Sequence, residues 1–324
     1  MESLQVVWGW QPALYLFLGG MGAGAFLAAM MVHFRAGDDH RRLVAASIVA
    51  AVVCLVAGLL LLLSELISPL RGMMMWQSFI NPTSWMTVGA WVVFAAVAVF
   101  ALTGICLSPW LGARLARRWP SWPEKARRAG SVLGTLGVAL AVGVAAYTGI
   151  LLMSAPGVPL WNTGLLPCLF TVSALDTGVA LVELIACALG RREPLGRSLA
   201  CLLSGVVVAL VLVEGAVLAT LLVTVTMAGA PGAGAFAAQG AQSAALLVSG
   251  PLAAPFWILV VVLGLALPLG AAIAGLASAE HGPAALTVTG AAGALAGGCA
   301  LRFLVVMAGV HADPVLDAVV RLMA

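Results

Sequence analysis

Eight apolar stretches, each of roughly twenty residues or more, follow one another along this chain, and this length is what an α-helix needs to cross a bilayer. Because lipid offers no hydrogen-bond partners to the backbone, such stretches fold as helices rather than as irregular chain. Hydrophobic residues make up 63% of the sequence and charged residues only 8%. We therefore predict an all-α integral membrane protein with about eight transmembrane helices.

The predicted spans use almost the whole chain, so no soluble domain is expected. A Gly- and Ala-rich connection between the sixth and seventh spans, residues 227–250, has room for partial helix. We expect two four-helix bundles, residues 1–153 and 154–324. The predicted spans are 8–33, 43–67, 85–107, 131–153, 165–189, 198–226, 251–278 and 284–309.

Positive charge alternates between the two faces of the predicted bundle. The loops after the first, third and fifth spans hold twelve of the fifteen Lys and Arg residues. The opposite face has Arg71 and Arg321, and Arg302 lies within the last span. By the positive-inside rule the basic loops are cytoplasmic and both termini face outside. We predict a multi-pass protein of the cytoplasmic (inner) membrane of a prokaryote, with lipid and not nucleic acid around it.

Polar and aromatic residues collect at the outer ends of the first four spans. A quinone headgroup requires hydrogen-bond donors for its two carbonyl oxygens, a proton route and apolar walls, and this set supplies all three. Tyrosines at a membrane interface are also common anchors, and that alternative stays open. The candidate quinone residues are Gln11, Tyr15, Arg71, Asn81, Trp85 and Tyr147, with Glu65 beside them.

We assign hypothetical roles within this outer set. Tyr147, together with Gln11 or Tyr15, would donate hydrogen bonds to the quinone oxygens. Glu65 would exchange protons with the reacting headgroup. Glu65 and Tyr147 are therefore the candidate catalytic residues.

A second group of charged residues lies deeper in the membrane. Asp176 and Glu183 are seven residues apart and share one face of the fifth span. Glu214 is near the middle of the sixth span, and Arg302 is in the outer third of the eighth. Ionised groups at this depth must pair or stay protonated. They either form an ion-pair network with Arg302 or provide a proton path, and the sequence leaves both readings open.

Residues that hold common redox cofactors are missing from the spans. The histidines, His33, His40, His281 and His311, lie at span ends or in loops, where no two can clamp a haem between facing helices. The six cysteines form no CxxC pair and are interpreted as small buried hydrophobes, so no iron–sulfur cluster is predicted in this chain. The methionines at 72–76 have no accompanying His or Cys. We predict no metal site.

Several segments within roughly the first 190 residues, taken together and in order, resemble the NrfD/PsrC family, the membrane subunits of polysulfide-reductase-type complexes. The later part is similar mainly in hydropathy and length. The matching segments are WGWQPALYLFLGGMGAG, NPTSWMTVGAW, YTGILLMSAPGVPLWNTGLLPCLF and SALDTGVAL.

The resemblance implies a haem-free, quinone-binding fold of eight or more helices. It also implies a ferredoxin-like iron–sulfur partner, often with a molybdopterin catalytic subunit behind it, docked on the outer face. Tyr147 falls at the family's fourth-helix tyrosine, and Tyr15 and Gln11 fall at positions near the quinone. Asp176 stands where many relatives have a small or hydroxylated residue.

The resemblance therefore favours a membrane anchor of a respiratory oxidoreductase that exchanges electrons between menaquinone or ubiquinone and the partner's cluster. Uncharged outer loops with Trp and Met would form much of the docking surface, and the protein alone would not act on a soluble substrate. The alternative is a proton-coupled secondary transporter or channel that uses Asp176, Glu183, Glu214 and Arg302. It predicts transport without any partner, whereas a third possibility combines quinone chemistry with proton translocation.

Overall fold

The computed structural model describes residues 9–37, 39–64, 85–117, 121–155, 157–190, 192–230, 234–278 and 284–310. Within these ranges, eight helical segments are long and apolar enough to cross a membrane. This confirms the predicted all-α membrane fold. The helices are α1 (Trp10–Ala36), α2 (Arg41–Ser64), α3 (Trp85–Leu107), α4 (Pro109–Ala116), α5 (Trp122–Met153), α6 (Leu165–Leu189), α7 (Arg197–Ala228), α8 (Ala235–Val248), α9 (Ala253–Pro255), α10 (Leu267–Ala277) and α11 (Ala284–Met307), with a π-helical segment at Phe256–Ala266.

The fourth span begins earlier than predicted. We expected a basic loop up to residue 130, but α5 starts at Trp122 and carries Lys125 and Arg128 in its first turns. Pro123 in the first turn costs no hydrogen bond, and Glu124 pairs with Arg128 at 2.7 Å one turn later. The charged end of the helix is thus stabilised by its own side chains and extends past the apolar stretch.

Two later segments contain helical features that the hydropathy pattern did not define. The connection after the sixth span contains α8, residues Ala235–Val248. The seventh span, Ala253–Ala277, is helical throughout the membrane, but its first half is the π-helical segment. Within that segment Gly264 lies against Gly297 of α11, and a Cβ on Gly264 would be 2.8 Å from the Gly297 Cα. The two glycines let these spans approach at backbone distance.

The first helix is the most enclosed span. In the most apolar 18-residue stretch of α1, 83% is buried inside the protein, whereas only 28% of the corresponding stretch of α2 is buried. It packs on α2, α5, α6 and α11. Its contact with α6 is made by Gly24 and Gly178, where a Cβ on either residue would overlap the other helix's backbone. Small residues therefore let α1 pack directly on α6, the fifth span.

The spans contact one another in two rings, and the division into two four-helix bundles stays a prediction. One ring contains α1, α2, α3 and α5, and the other contains α6, α7, α10 and α11. The buried core is divided by depth instead. Phe26 and Phe100 belong to a cluster in the predicted cytoplasmic half of the membrane. Leu16 and Phe170 belong to a cluster in the predicted outer half. Both clusters draw on helices from both rings.

Candidate functional site

Two tyrosines lie together near the predicted outer ends of α1 and α5. Tyr15 is only 5% exposed and Tyr147 only 7% exposed, and the two phenol groups are close enough to interact electrostatically. An interfacial anchor would keep its ring at the headgroup level. Among the described residues, neither phenol oxygen has a hydrogen-bond partner.

Glycines on the neighbouring helices make room for these rings. A Cβ on Gly58 of α2 would be 3.2 Å from Cδ2 of Tyr15, and a Cβ on Gly89 of α3 would overlap the Tyr147 ring. The backbone of α2 therefore lies directly against the Tyr15 ring, and the backbone of α3 lies directly against the Tyr147 ring. Sequence analysis did not assign Gly58 or Gly89 to the site, because the facing of two helices cannot be derived from either helix alone.

The rest of the predicted outer set is placed only in part. Gln11 is half-buried and lies one turn before Tyr15, whereas Trp85 is 50% exposed at the start of α3. Glu65, Arg71 and Asn81 lie outside the described residues. The structure thus brings together Tyr15 and Tyr147, with Gln11 on the adjacent turn.

Arg302 is fully buried between three helices. Its Nη1 donates to Oγ of Ser173 at 2.6 Å and to the Gly298 carbonyl at 2.9 Å, and its Nη2 donates to the Phe170 carbonyl at 3.2 Å. The guanidinium lies 5.2 Å from the Phe170 ring centroid and 5.9 Å from that of Phe17. These bonds and aromatic faces compensate in part for removing the cation from water.

The direct ion pair considered from the sequence is not what holds Arg302. Glu124 lies within ion-pair distance of Arg128 and Glu193 within that of His40, whereas Arg302 bonds to a hydroxyl group and two carbonyl groups. Glu214 is buried beside Ser173 and interacts with Arg302 electrostatically. Ser173 therefore lies between the guanidinium and the nearest carboxyl group. It was missed because a serine in an apolar helix carries no signal of its own.

Two further carboxyl groups continue this row toward the predicted cytoplasmic end. Asp176 is 2% exposed and Glu183 is 9% exposed, and they lie about 10 Å apart along the axis of α6. Asp176 interacts electrostatically with Glu214, Glu183 and Arg302. Its Oδ1 has no hydrogen-bond partner among the described residues. All four predicted membrane-embedded charges are therefore buried in the interior of the bundle.

Comparison with known proteins identifies the family. The family model described as "Polysulphide reductase, NrfD" matches residues 1–312. The chain belongs to the NrfD family. This NrfD-family protein is 32% identical to the C subunit of the polysulfide reductase of Wolinella succinogenes over 314 residues, which is 94% of each protein. It is also 33% identical to protein NrfD of Escherichia coli (strain K12) over 211 residues, 59% of this protein and 62% of the relative.

Family membership confirms the resemblance found in the sequence and extends it past the first half. The match reaches residue 312, so the charged second half belongs to the same fold. With eight candidate spans among its described residues, the NrfD-family protein is a multi-pass membrane protein of a prokaryote. Its helices carry both the buried tyrosine pair and the buried charge row.

The outer loop of the NrfD-family protein between α5 and α6 folds inward. Trp161 is 1% exposed, and its Nε1 donates to the Val305 carbonyl at 2.9 Å. We had expected the tryptophans of the uncharged outer loops to face a partner. Trp161 instead fastens this loop to the end of α11, so it is not part of a docking surface.

Thiols and histidines of the NrfD-family protein are dispersed. Cys168 is exposed and the other five cysteines are half-buried free thiols, so our interpretation of them as buried hydrophobes was wrong. His33 contacts Ser131 at 3.0 Å near the cytoplasmic ends of their helices. In the described ranges, no three His, Cys, Asp or Glu residues form a group that could hold a metal ion.

Proposed function

We propose that this NrfD-family protein is the haem-free membrane subunit of a respiratory oxidoreductase complex, exchanging electrons between the quinone pool and an iron–sulfur partner. The observation that carries the proposal is the buried pair Tyr15 and Tyr147 near the outer end of the bundle. The first-named relative is the C subunit of a polysulfide reductase, and so belongs to a redox enzyme. A soluble substrate would be handled by other subunits.

The tyrosine pair suits a quinone headgroup. A quinone has two carbonyl oxygens that accept hydrogen bonds and gain protons on reduction. Tyr147 donates to one oxygen, and Tyr15 or Gln11 donates to the other. Because Gly58 and Gly89 hold the rings with little free volume, the phenol positions are fixed before the quinone binds.

Four further residues that were predicted from the sequence belong to the proposed site. Glu65 would exchange protons with the headgroup, and Arg71, Asn81 and Trp85 would bind it. The substrate is menaquinone or ubiquinone. In this proposal, electrons pass to a ferredoxin-like iron–sulfur subunit docked on the outer face, with a molybdopterin subunit behind it.

The carboxyl groups Glu183, Asp176 and Glu214 are proposed as a proton path that the Arg302 cation limits on its outer side. Intramembrane carboxyl groups are costly and are functional candidates by default. Arg302 lies where the two parts of the molecule meet, because it also contacts Phe17 of α1. Asp176→Asn and Glu214→Gln are expected to reduce proton translocation per quinol. Unchanged coupling and stability in both variants would show that the row is only structural.

The headgroup assignment is tested with Tyr147→Phe in the intact complex. This variant keeps the ring against Gly89 and removes one hydroxyl. Losing one hydrogen bond to the quinone costs about 1.4 kcal/mol, so kcat/KM for a quinol analogue is expected to fall about tenfold. Trp91→Phe, on the lipid-facing side of α3, is the matched control and should turn over quinol normally.

Two results would oppose the proposal. Unchanged quinol turnover in Tyr147→Phe would show that this phenol does not bind the headgroup. A protein purified without an iron–sulfur partner that transports protons or solutes without quinone would support the transporter alternative. Quenching of tryptophan fluorescence by a quinol analogue distinguishes binding from turnover in the same preparation.

A further inference from the structure

A cavity of about 340 Å³ lies at the predicted cytoplasmic end of the second ring of helices. It is bounded by α6, α7, α10 and α11, and Arg197 at the start of α7 is exposed to solvent. Apolar residues form part of its wall, but charged and hydroxyl groups reach it from every side. The polar and thiol groups that line it are Glu183, Cys187, Arg197, Cys201, Ser204, Ser278 and Thr287.

A second cavity, of about 20 Å³, adjoins the first and lies deeper in the membrane. Glu183, Ser204 and Thr287 line both cavities, so they form the boundary between them. The deeper cavity also touches Asp176. Its volume exceeds the roughly 10–15 Å³ that one water molecule needs, and its wall supplies the polar partners that such a water requires.

Asp176 gives an independent reason to place water there. Its side chain is 2% exposed, and Oδ1 has no hydrogen-bond partner among the described residues. A buried carboxyl oxygen without a partner is costly, and it is normally satisfied by an ordered water. The unpartnered oxygen and the small cavity therefore point to the same water position.

Beyond Asp176, the packing closes. Ser173 is 0% exposed and Thr177 is 1% exposed, and a Cβ on Gly298 would overlap the Thr177 methyl group. On the outer side of Asp176, Ser173 accepts a hydrogen bond from the guanidinium of Arg302. A fixed positive charge in a narrow path is a barrier to protons. The cavities thus have a cytoplasmic side and no continuation outward among the described residues.

We propose that the two cavities form a water-filled half-channel, open to the cytoplasm, which delivers protons to Glu183 and then to Asp176 and ends beneath Arg302. Among the described residues, the charged groups that face this route are Arg197 at its mouth, Glu183 and Asp176 along it, and Glu214 and Arg302 at its closed end. The use of these protons in quinone chemistry rests on the proposed function. Water access to Asp176 does not.

The wide part of the half-channel is tested with its native thiols. The intact complex in membrane vesicles is treated with a small, cationic, membrane-impermeant methanethiosulfonate, presented from the cytoplasmic or the outer side. Because reaction requires a hydrated thiolate, Cys187 and Cys201 are expected to react roughly tenfold or more faster than Cys54 and Cys299 from the cytoplasmic side. Equal rates, or faster reaction from outside, would overturn the proposal.

The boundary between the cavities is tested with a matched pair on α11. In a background with Cys187→Ala and Cys201→Ala, Thr287→Cys lines both cavities, whereas Thr289→Cys, two residues later, is exposed on another face. We expect cytoplasmic labelling of Thr287→Cys only. Labelling of both at one rate would mean that the reagent reaches α11 through lipid.

The closed end is tested with silver ion, a thiol reagent small enough for the deeper cavity. Ala180→Cys, at the deeper wall, should react with silver from the cytoplasmic side and resist the larger methanethiosulfonate. Protection from both reagents would show that water stops at Glu183. Quinol turnover, measured in the same vesicles, reports separately on the proposed function, because labelling needs no turnover.

Discussion

The aromatic ring of Tyr147 occupies the space that a side chain at position 89 would fill. Gly89 and Tyr147 therefore fit together without spare volume, and a larger side chain at either position would overlap the other residue. The contact joins α3 to α5 at the proposed quinone site, and it gives a test that does not alter the phenol itself.

Gly89→Ala is expected to displace the Tyr147 ring and so lower quinol turnover. Overpacking of this kind costs about 1–3 kcal/mol. Turnover in the intact complex and thermal unfolding in detergent are measured together. Gly205→Ala, in α7 with nothing near its Cβ position, should change neither quantity. Normal turnover in Gly89→Ala would mean that the ring position does not matter to the quinone.

Ser173→Ala should destabilise the protein by about 1–3 kcal/mol, because it removes a buried partner of the Arg302 guanidinium. The shift in thermal unfolding measures the effect. Thr220→Ala removes an exposed hydroxyl that bonds to its own helix in α7 and serves as the control. An equal, small shift in both variants would show that Ser173 contributes nothing to holding the cation.

Trp161→Phe keeps an aromatic ring but loses the indole N–H that the Val305 carbonyl accepts. The buried carbonyl is left without this donor, so we expect a loss of about 1–3 kcal/mol. Faster proteolysis in the loop between α5 and α6 would accompany it. Trp91→Phe, on a lipid-facing surface, is expected to behave as the parent protein. Parent-like proteolysis of Trp161→Phe would contradict the anchoring role.

Gly178→Ala is expected to be the most disruptive of these variants. The new Cβ would overlap the backbone of Gly24 and Ala25. Backbone atoms cannot avoid it by changing rotamer, as a side chain could. A cost of about 3 kcal/mol or more, seen as a low yield of folded protein, follows from forcing two helices apart. Gly270→Ala has open space at its Cβ position and should fold normally. If Gly178→Ala folds equally well, α1 and α6 are not in rigid contact.

The spans were predictable because hydrocarbon thickness fixes their length. The fifth span was predicted as 165–189, and α6 runs from Leu165 to Leu189. Ends outside the bilayer were less predictable, as at Trp122, where ordinary helix propensity and a local ion pair extend α5. Hydropathy contains no information about helix propensity or about ion pairs between neighbouring side chains.

In the candidate site, too, some features could be predicted from the sequence and others could not. Burial of Asp176, Glu214 and Arg302 was predictable, since charged groups in a long apolar span face the interior. Their partners were not, because Ser173 meets Arg302 across helices that lie far apart in sequence, and only packing decides which faces meet. Trp161 was interpreted wrongly for the same reason, since a short uncharged loop gives no sign of folding inward.

The position of Arg302 has a consequence for biogenesis. Its guanidinium belongs to the eighth span, yet it lies against Phe17 of the first span and bonds to the carbonyl of Phe170 in the fifth. A ribosome releases α11 after the other described spans, so the first and fifth spans lack this contact in the membrane until α11 is made. A nascent polypeptide stalled before residue 302 would therefore have an incomplete outer half.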